Sequence, residues 1–183
     1  MPPKTTFIKR DVVHAALEIV KDRGFSELSM RKVAERMGCS PAPVYSSFRS
    51  KGALEKALLA EVKQLLYEYA SKNYTRRKHF NLAIGLVLFA GDYSRLFRSL
   101  FLQRTDFEEI FKEFHKSYIE GMQSDERFAG MAAEARDGLL SRLWIFTYGL
   151  ATLVSAGLLE DKSEAGIIKT LSEVGTLMIE DAL

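Results

Sequence analysis

The stretch SMRKVAERMGCSPAPVYSSF, residues 29–48, predicts two short helices joined by a tight turn. Ser29 is a favourable N-cap for the first helix, and Gly38 is suited to end it. Ser40 is an N-cap for the second helix, where Pro41 occupies the first position and its missing N–H costs nothing. Such a helix-turn-helix unit braces its first helix against the DNA backbone and presents the start of its second helix to base edges in the major groove. The stretch therefore predicts binding to double-stranded DNA.

Helical spacing of apolar residues extends through almost the entire chain, and strand-like alternation is absent. All four prolines lie at or before residue 43, so none interrupts the remainder. We expect an all-α protein of about nine helices, with a helix-turn-helix domain over residues 1–62 and a larger helical domain over residues 63–183. The helices outside the helix-turn-helix pair are expected at 9–23, from 50 to about 69, and at about 79–90, 93–103, 106–122, 132–158 and 164–181.

The charge distribution distinguishes the N-terminal third from the rest. Residues 1–63 carry 12 Lys and Arg against 7 Asp and Glu, whereas residues 64–183 carry 14 against 17. A basic end on a mildly acidic body favours contact with a polyanion. The single cysteine, Cys39, excludes an internal disulfide and a multi-cysteine metal site.

Two segments bear on the location of the protein. The first ten residues contain no apolar run, so we expect no secretory signal and a cytoplasmic protein. The 17 residues from Leu143 to Leu159 carry no charge, which reaches the lower limit for a membrane span. Polar residues interrupt this segment and no basic cluster flanks it, so we expect a buried helix and no membrane contact.

Five elements of the N-terminal third occur in a recognisable order. They are Ala15-Ala16-Leu17-Glu18, Gly24-Phe25, the run from Ser29 to Ser40, Val44-Tyr45 with Phe48, and Lys51. In these elements and their spacing, residues 8–62 resemble the tetracycline-repressor-like (TetR/AcrR) family of bacterial regulators. The other two-thirds of the chain match this family only in the number and length of the helices.

The resemblance implies a set of DNA-contacting residues. It implies that two residues at the start of the first, bracing helix lie near phosphate. It also implies that the residues at the start of the second, recognition helix face the bases. Farther along the chain, Tyr45 and Lys51 are expected to contact phosphate. The complete predicted set is Ser29, Arg31, Ser40, Pro41, Ala42, Pro43, Tyr45, Ser46, Ser47 and Lys51.

The chain departs from the family's pattern at the recognition helix. A Lys-Gly-Thr-like run is common there, whereas this chain has Pro41-Ala42-Pro43, whose side chains form no hydrogen bonds with bases. Three sources of base readout remain open: apolar contact with thymine methyl groups, the hydroxyl groups of Ser46 and Ser47, and the shape of the DNA.

Aromatic residues are concentrated between residues 80 and 118, which hold nine of them. Core packing explains any one of these residues, whereas an apolar cavity with a few polar groups explains their concentration. The resemblance implies such a cavity within helices four to eight. The predicted pocket residues are Tyr93, Phe97, Phe101, Phe111, Phe114, Tyr118, Trp144 and Tyr148. The expected ligand is an apolar or amphipathic small molecule whose charge the sequence leaves open.

Two helices near the C-terminus predict association with a second copy of the chain. Small residues at Gly149, Thr152 and Ala156 allow another helix to approach closely, and the last helix carries an apolar stripe. The predicted interface residues are Gly149, Thr152, Ala156, Ile167, Leu171, Val174 and Met178. Two helices from each chain make a four-helix interface, as the resemblance also implies. A dimer that places its two helix-turn-helix domains about 34–36 Å apart suits a palindromic operator.

The functional hypothesis is a homodimeric, ligand-responsive transcriptional regulator, a repressor released from its palindromic operator by a small molecule. Two alternatives stay open. One is an all-α ligand-binding or adaptor protein whose basic N-terminal domain binds a protein and not DNA. The other is a DNA-binding protein that binds no ligand, has no cavity in its own core and acts as the partner of another regulator. His14, His79 and His115 are too scattered for a metal motif, and no catalytic motif is present. We therefore expect no enzyme, no metal and no cofactor.

Overall fold

The structure is a computed structural model that describes residues 7–103, 108–123, 126–128 and 130–182, apart from the side chains of residues 78, 79, 108–111, 122 and 127. Within these ranges the chain forms nine α-helices, two short 3₁₀ turns and no β-strand, which confirms the all-α prediction. The helices are α1 Lys9–Arg23, α2 Met30–Arg36, α3 Pro41–Ser47, α4 Lys51–Ala70, α5 Lys78–Asp92, α6 Ser94–Phe101, α7 Glu108–Gln123, α8 Ala133–Ala156 and α9 Glu164–Glu180.

The chain divides into two compact units, Met1–Leu65 and Leu66–Leu183. The division lies within α4, close to the boundary that the sequence predicts after residue 62. The N-terminal unit contains α1, α2, α3 and most of α4, and the C-terminal unit contains the last turn of α4 and the five helices that follow.

The N-terminal unit is built around small and branched apolar side chains. Val12, Val20, Val33 and Val44 are fully buried, which packs α1, α2 and α3 against one another. Gly38 has a φ of 65°, a left-handed conformation that L-residues adopt only at a cost, and it turns the chain between α2 and α3. The sequence therefore produces the helix-turn-helix through one apolar core and one glycine turn.

The C-terminal unit is organised around α5, which packs against α6, α7, α8 and α9. A Cβ atom added at Gly85 would lie 2.5 Å from the carbonyl oxygen of Tyr69, so the last turn of α4 crosses α5 at backbone contact. A Cβ atom added at Gly175 of α9 would lie 2.5 Å from the ring of Phe80. Glycine at these two positions lets the neighbouring elements approach closely.

Helix α8 is long and apolar enough to cross a membrane by length and composition alone. In the structure Leu143, Leu150 and Val154 are buried on its inner side, which makes it a core helix of the C-terminal unit. Only 44% of its most apolar window is buried, however, and Ile145 and Leu153 are exposed. The apolar composition that the sequence attributes to a buried helix therefore also supplies an exposed apolar face.

Candidate nucleic-acid interface

One side of α3 anchors the helix and the other side faces solvent. Val44 and Phe48 are buried in the core of the N-terminal unit. The residues on the opposite side are exposed, and Tyr45 has 51% of its surface accessible. This exposed side, called the α3 face below, consists of Pro41, Ala42, Tyr45 and Ser46. It presents four small or amphipathic side chains to whatever binds the helix.

The serine hydroxyl groups just before α3 and on the α3 face differ in their hydrogen bonds. Ser40 is the N-cap residue, yet its side chain makes no capping hydrogen bond. One of the two N–H groups that an N-cap side chain normally binds is missing, because Pro43 occupies the third helical position. The hydroxyl group of Ser46, in contrast, donates a hydrogen bond to the carbonyl oxygen of Pro43 at 2.8 Å.

The start of α2 carries a cation that forms no ion pair with any described residue. Ser29 caps this helix, since its hydroxyl oxygen accepts a hydrogen bond from the backbone N–H of Lys32 at 3.2 Å. The ammonium group of Lys32 forms an ion pair with Glu27 and donates a hydrogen bond to it. This hydrogen bond, followed by the lysine charge, holds the pKa of the Glu27 carboxyl below its usual value. Arg31 is exposed and has no ion-pair partner among the described residues. Of the two cations in this turn, Arg31 is the one available to a phosphate.

The connection between α3 and α4 holds a second such group. Ser50 caps α4 through a hydrogen bond from the backbone N–H of Ala53 at 3.2 Å. Lys51 is exposed and forms an ion pair with Glu55 at 3.5 Å. Arg49 is exposed, and the structure shows no ion pair between it and any residue that it describes. The interface therefore has a cation at Arg49 that the sequence analysis missed.

The signal for Arg49 was weak, because the sequence does not distinguish exposed cations that are paired from those that are not. Arg36 belongs to the same basic third of the chain, but the fold places its guanidinium 3.1 Å from Asp22 and 3.9 Å from Glu18. A cation two residues before Lys51 is the one feature that points to Arg49.

Most predicted DNA-contacting residues lie on accessible parts of the helix-turn-helix. Ser29, Pro43 and Ser47 are only half-buried, and of these Pro43 and Ser47 lie on α3 outside the α3 face. Helical geometry separates Ser47 from the α3 face, because it follows Val44 by three residues and shares its side. The hydroxyl group of Ser46, in contrast, lies at the surface of the α3 face.

Comparison with known proteins agrees with this geometry. A family model described as "Bacterial regulatory proteins, tetR family" matches residues 12–58, which span α1, α2, α3 and the first part of α4. Solved structures of regulators in this family match nearly the whole chain. Residues 12–58 match the TetR family, and the chain shares the fold of these regulators.

Three solved structures illustrate the likeness. A transcriptional regulator from Aquifex aeolicus VF5 covers 93% of this chain and 98% of its own, at 14% identity and a TM-score of 0.66. MexZ, a repressor from Pseudomonas aeruginosa, covers 93% and 94% at 13% identity and a TM-score of 0.68. A TetR-like regulator from Rhodococcus sp. RHA1 covers 97% and 98% at 18% identity and a TM-score of 0.65. No curated protein sequence matches this chain significantly. These comparisons indicate a bacterial regulatory protein of the TetR type over residues 12–58 and the TetR fold over nearly the whole chain.

The structure brings most of the predicted pocket residues into one aromatic cluster. The ring centroids of Phe97 and Phe101 are 5.0 Å apart, and that of Tyr148 lies 6.2 Å and 6.5 Å from them. The ring of Trp144 lies 6.3 Å from Tyr148 and 6.1 Å from Tyr118. Phe114 joins the cluster at 6.0 Å from Trp144. Together these six residues form what we call the aromatic cluster.

Two predicted pocket residues are not part of this cluster. Tyr93 packs instead against Tyr69 and Phe89, at centroid distances of 5.9 Å and 5.5 Å. The side chain of Phe111 lies outside the described residues. Within the aromatic cluster, burial raises the pKa of the Tyr118 hydroxyl above its ordinary value, and the hydroxyl of Tyr148 donates a hydrogen bond to the carbonyl oxygen of Phe101.

The predicted dimer residues separate into an exposed set and a buried set. Ile167 and Leu171 are 1% and 2% exposed, so they belong to the core of their own unit and not to a surface. The four-residue spacing of Ile167, Leu171, Gly175 and Ile179 keeps all of them on the inner side of α9. This corrects the prediction for Ile167 and Leu171, because one apolar stripe was read as an interface when it is the inner side of the helix. Val174 and Met178 are half-exposed.

An exposed apolar surface lies on α8 and α9. On α8, Ile145 is 68% exposed. Gly149, Leu153 and Ala156, which follow it by one, two and about three turns, are also exposed. Leu177 of α9 is 66% exposed. The surface, called the α8–α9 face below, consists of Ile145, Gly149, Thr152, Leu153, Ala156, Val174, Leu177 and Met178. Nothing lies within 4 Å of a Cβ atom added at Gly149.

Proposed function

We propose that this TetR-family regulator binds a palindromic operator as a homodimer and represses transcription until a small molecule releases it. The observation that carries the DNA-binding part is the exposed α3 face, together with three exposed cations of the same unit: Lys51, and Arg31 and Arg49, which have no ion-pair partner among the described residues. A major groove admits a helix that carries small side chains, and exposed cations on the neighbouring elements suit contact with the phosphate backbones.

The test is binding of the purified protein to DNA that flanks its own gene, measured by fluorescence anisotropy across a salt series. We expect tight binding to one palindromic segment that resists competitor DNA, with log affinity falling linearly in log salt. Selection from a random-sequence library extends the test to distant operators. If that library yields no enriched sequence, the DNA-binding proposal is wrong.

The dimer rests on the α8–α9 face. Exposed apolar residues grouped on helices are typical of association surfaces, and packing two α8 helices at small residues allows their backbones to approach closely. Gly149→Leu places a bulky side chain where the second copy would pack, without a clash inside its own unit. We expect this variant to be monomeric by light scattering. Gly130→Leu is the matched control, because Gly130 is also exposed with nothing near an added Cβ. A dimeric Gly149→Leu variant would remove this face from the proposed interface.

The ligand response rests on the aromatic cluster, which combines a large apolar surface with the hydroxyl group of the buried Tyr118. Such a combination is typical of small-molecule sites. Trp144 is the only tryptophan in the chain, so its fluorescence reports directly on the cluster. A compound that binds there should change that fluorescence and weaken operator binding over the same concentration range. If compounds that release the operator leave the emission of Trp144 unchanged, the ligand site lies elsewhere.

The coupling between ligand and DNA is proposed to pass through α4, which belongs to both units. Its last turn is held in the C-terminal unit by the crossing at Gly85 and by a hydrogen bond from the hydroxyl of Tyr69 to Asp92 at 2.6 Å. A ligand with different affinities for two arrangements of α4 shifts their populations, and a coupling of about 1–3 kcal/mol changes operator affinity about 5- to 150-fold.

A further inference from the structure

Three of the four side chains of the α3 face, those of Pro41, Ala42 and Ser46, offer no free hydrogen-bond donor to the bases, and only Tyr45 on this face carries one. Pro41 and Pro43 have no backbone N–H, and the Ala42 side chain is a methyl group. The proton of the Ser46 hydroxyl is directed at the carbonyl oxygen of Pro43, 2.8 Å away. The oxygen of Ser46 is therefore left as an acceptor. Since the start of the second helix is the part of a helix-turn-helix that faces base edges, this shortage of donors restricts which bases it recognises.

The restriction acts against guanine. In the major groove guanine presents only acceptors, O6 and N7, so it is recognised by donors such as arginine or lysine. Thymine presents a C5 methyl group, which makes favourable contact with an apolar side chain, and adenine presents an N6 amino group, which needs an acceptor. Ala42 and Ser46 lie one helical turn apart on the α3 face and supply one apolar group and one acceptor.

We propose, resting on the proposed function, that the α3 face recognises thymine through its methyl group, with Ala42 as the specificity-determining residue and Ser46 as an acceptor for the N6 amino group of a neighbouring adenine. Ser47 does not take part, because it lies on a half-buried side of α3. The half-site of the operator therefore contains a thymine with an adenine next to it where the start of α3 meets the major groove.

Two donors nearby define the competing outcome. Tyr45 is 51% exposed at the α3 face, and Arg49 follows α3 in the connection to α4. If either group reads guanine O6 or N7, specificity depends on those acceptors and not on the thymine methyl. Both outcomes can be distinguished by changing single atoms of the DNA.

The experiment begins with the full chain and a random-sequence library, from which the operator is selected. Each thymine of the half-site is then replaced by uracil, which removes only the methyl group. Burial of one methyl group corresponds to about fourfold in affinity, so replacement of the contacted thymine should weaken binding about fourfold for each half-site. In parallel, each guanine is replaced by 7-deazaguanine, which removes the N7 acceptor and should have little effect.

A double-mutant cycle assigns the methyl contact to Ala42. Ala42→Gly should bind the thymine and uracil operators equally well, whereas the unmodified protein should distinguish them about fourfold. Because both operators are compared on the same variant, any loss of folded protein cancels. Ala60→Gly is the matched control, since Ala60 is an exposed helical alanine of the same unit, and it should retain the fourfold preference.

The outcomes separate the inference from the function on which it rests. A selected operator that binds equally well with uracil, or that loses affinity mainly with 7-deazaguanine, overturns the inference and leaves the DNA-binding function intact. A preference for thymine that persists in Ala42→Gly overturns the role of Ala42. A library that yields no enriched sequence refutes the proposed function and the inference together.

Discussion

The unpaired arginines of the helix-turn-helix lead to a quantitative prediction about salt. A cation that neutralises a DNA phosphate releases a counterion, and each such contact contributes about 0.9 to the slope of log affinity against log salt. Arg31 and Arg49 are exposed and have no ion-pair partner in the part of the chain that the structure describes. Each is therefore expected to make one phosphate contact in every copy of the chain.

The magnitude follows from the proposed dimer. Arg49→Ala removes two contacts from the complex, so the slope should fall by about 1.8. An approximately fourfold increase in salt should then weaken the unmodified protein about twelvefold more than the variant. Arg31→Ala should behave in the same way. Lys51→Ala should lower the slope as well, but its loss of affinity should be smaller, because the exposed pair with Glu55 already competes for this lysine.

The control comes from cations that the fold has already paired. Lys32 pairs with Glu27, and Arg36 pairs with Asp22 and Glu18, so Lys32→Ala and Arg36→Ala should leave the slope nearly unchanged. The assay is fluorescence anisotropy with one operator at several salt concentrations. The reasoning is refuted if the slope falls as much for Lys32→Ala as for Arg49→Ala, since ion pairing would then say nothing about phosphate contact.

Further predictions concern stability and are measured by thermal and urea denaturation. Gly85→Ala should destabilise the protein by about 1–3 kcal/mol or more, because the new Cβ would lie 2.5 Å from a backbone oxygen that cannot move aside; equal stability would disprove the close crossing. Gly138→Ala, at an exposed helical site with nothing near the added Cβ, should instead stabilise by up to about 1 kcal/mol. Gly38→Ala should cost about 1 kcal/mol, since its φ of 65° strains any L-residue; an unchanged midpoint would show that the turn relaxes. Burial, followed by the charges of nearby carboxylates, raises the pKa of Tyr74 from 10.0 to about 12, so its contribution to the unfolding free energy should be complete below pH 10 and should disappear as the pH rises to 12. Tyr74→Phe should reduce this alkaline loss of stability, and an identical pH profile would contradict the assignment.

The sequence predicted the helices well because the signals that start and stop them are local. Ser29 and Gly38 act within a few residues of their own positions, and the apolar periodicity of each helix is visible in its own segment. Periodicity also shows that α9 has an apolar stripe. It does not show what covers that stripe, which is why Ile167 and Leu171 were assigned to a dimer although they pack inside their own unit.

Partners far apart in the sequence could not be read from it. Arg36 pairs with Asp22, which lies 14 residues away, and Tyr148 reaches the carbonyl oxygen of Phe101, which lies 47 residues away. The same applies to the ring contact between Tyr93, which lies between α5 and α6, and Tyr69 of α4.

By itself, the sequence determined that this chain is all-α, that it carries a helix-turn-helix and that its recognition helix begins with two prolines. These properties depend on backbone dihedral preferences and on capping within one or two helical turns. The tertiary structure alone decided that Lys32 and Arg36 form ion pairs while Arg31 and Arg49 form none with the residues that the structure describes, and that the Ser46 oxygen is left as an acceptor. Electrostatic pairing and hydrogen bonding act over a few ångströms in space, so only the folded chain determines which neighbours each group has.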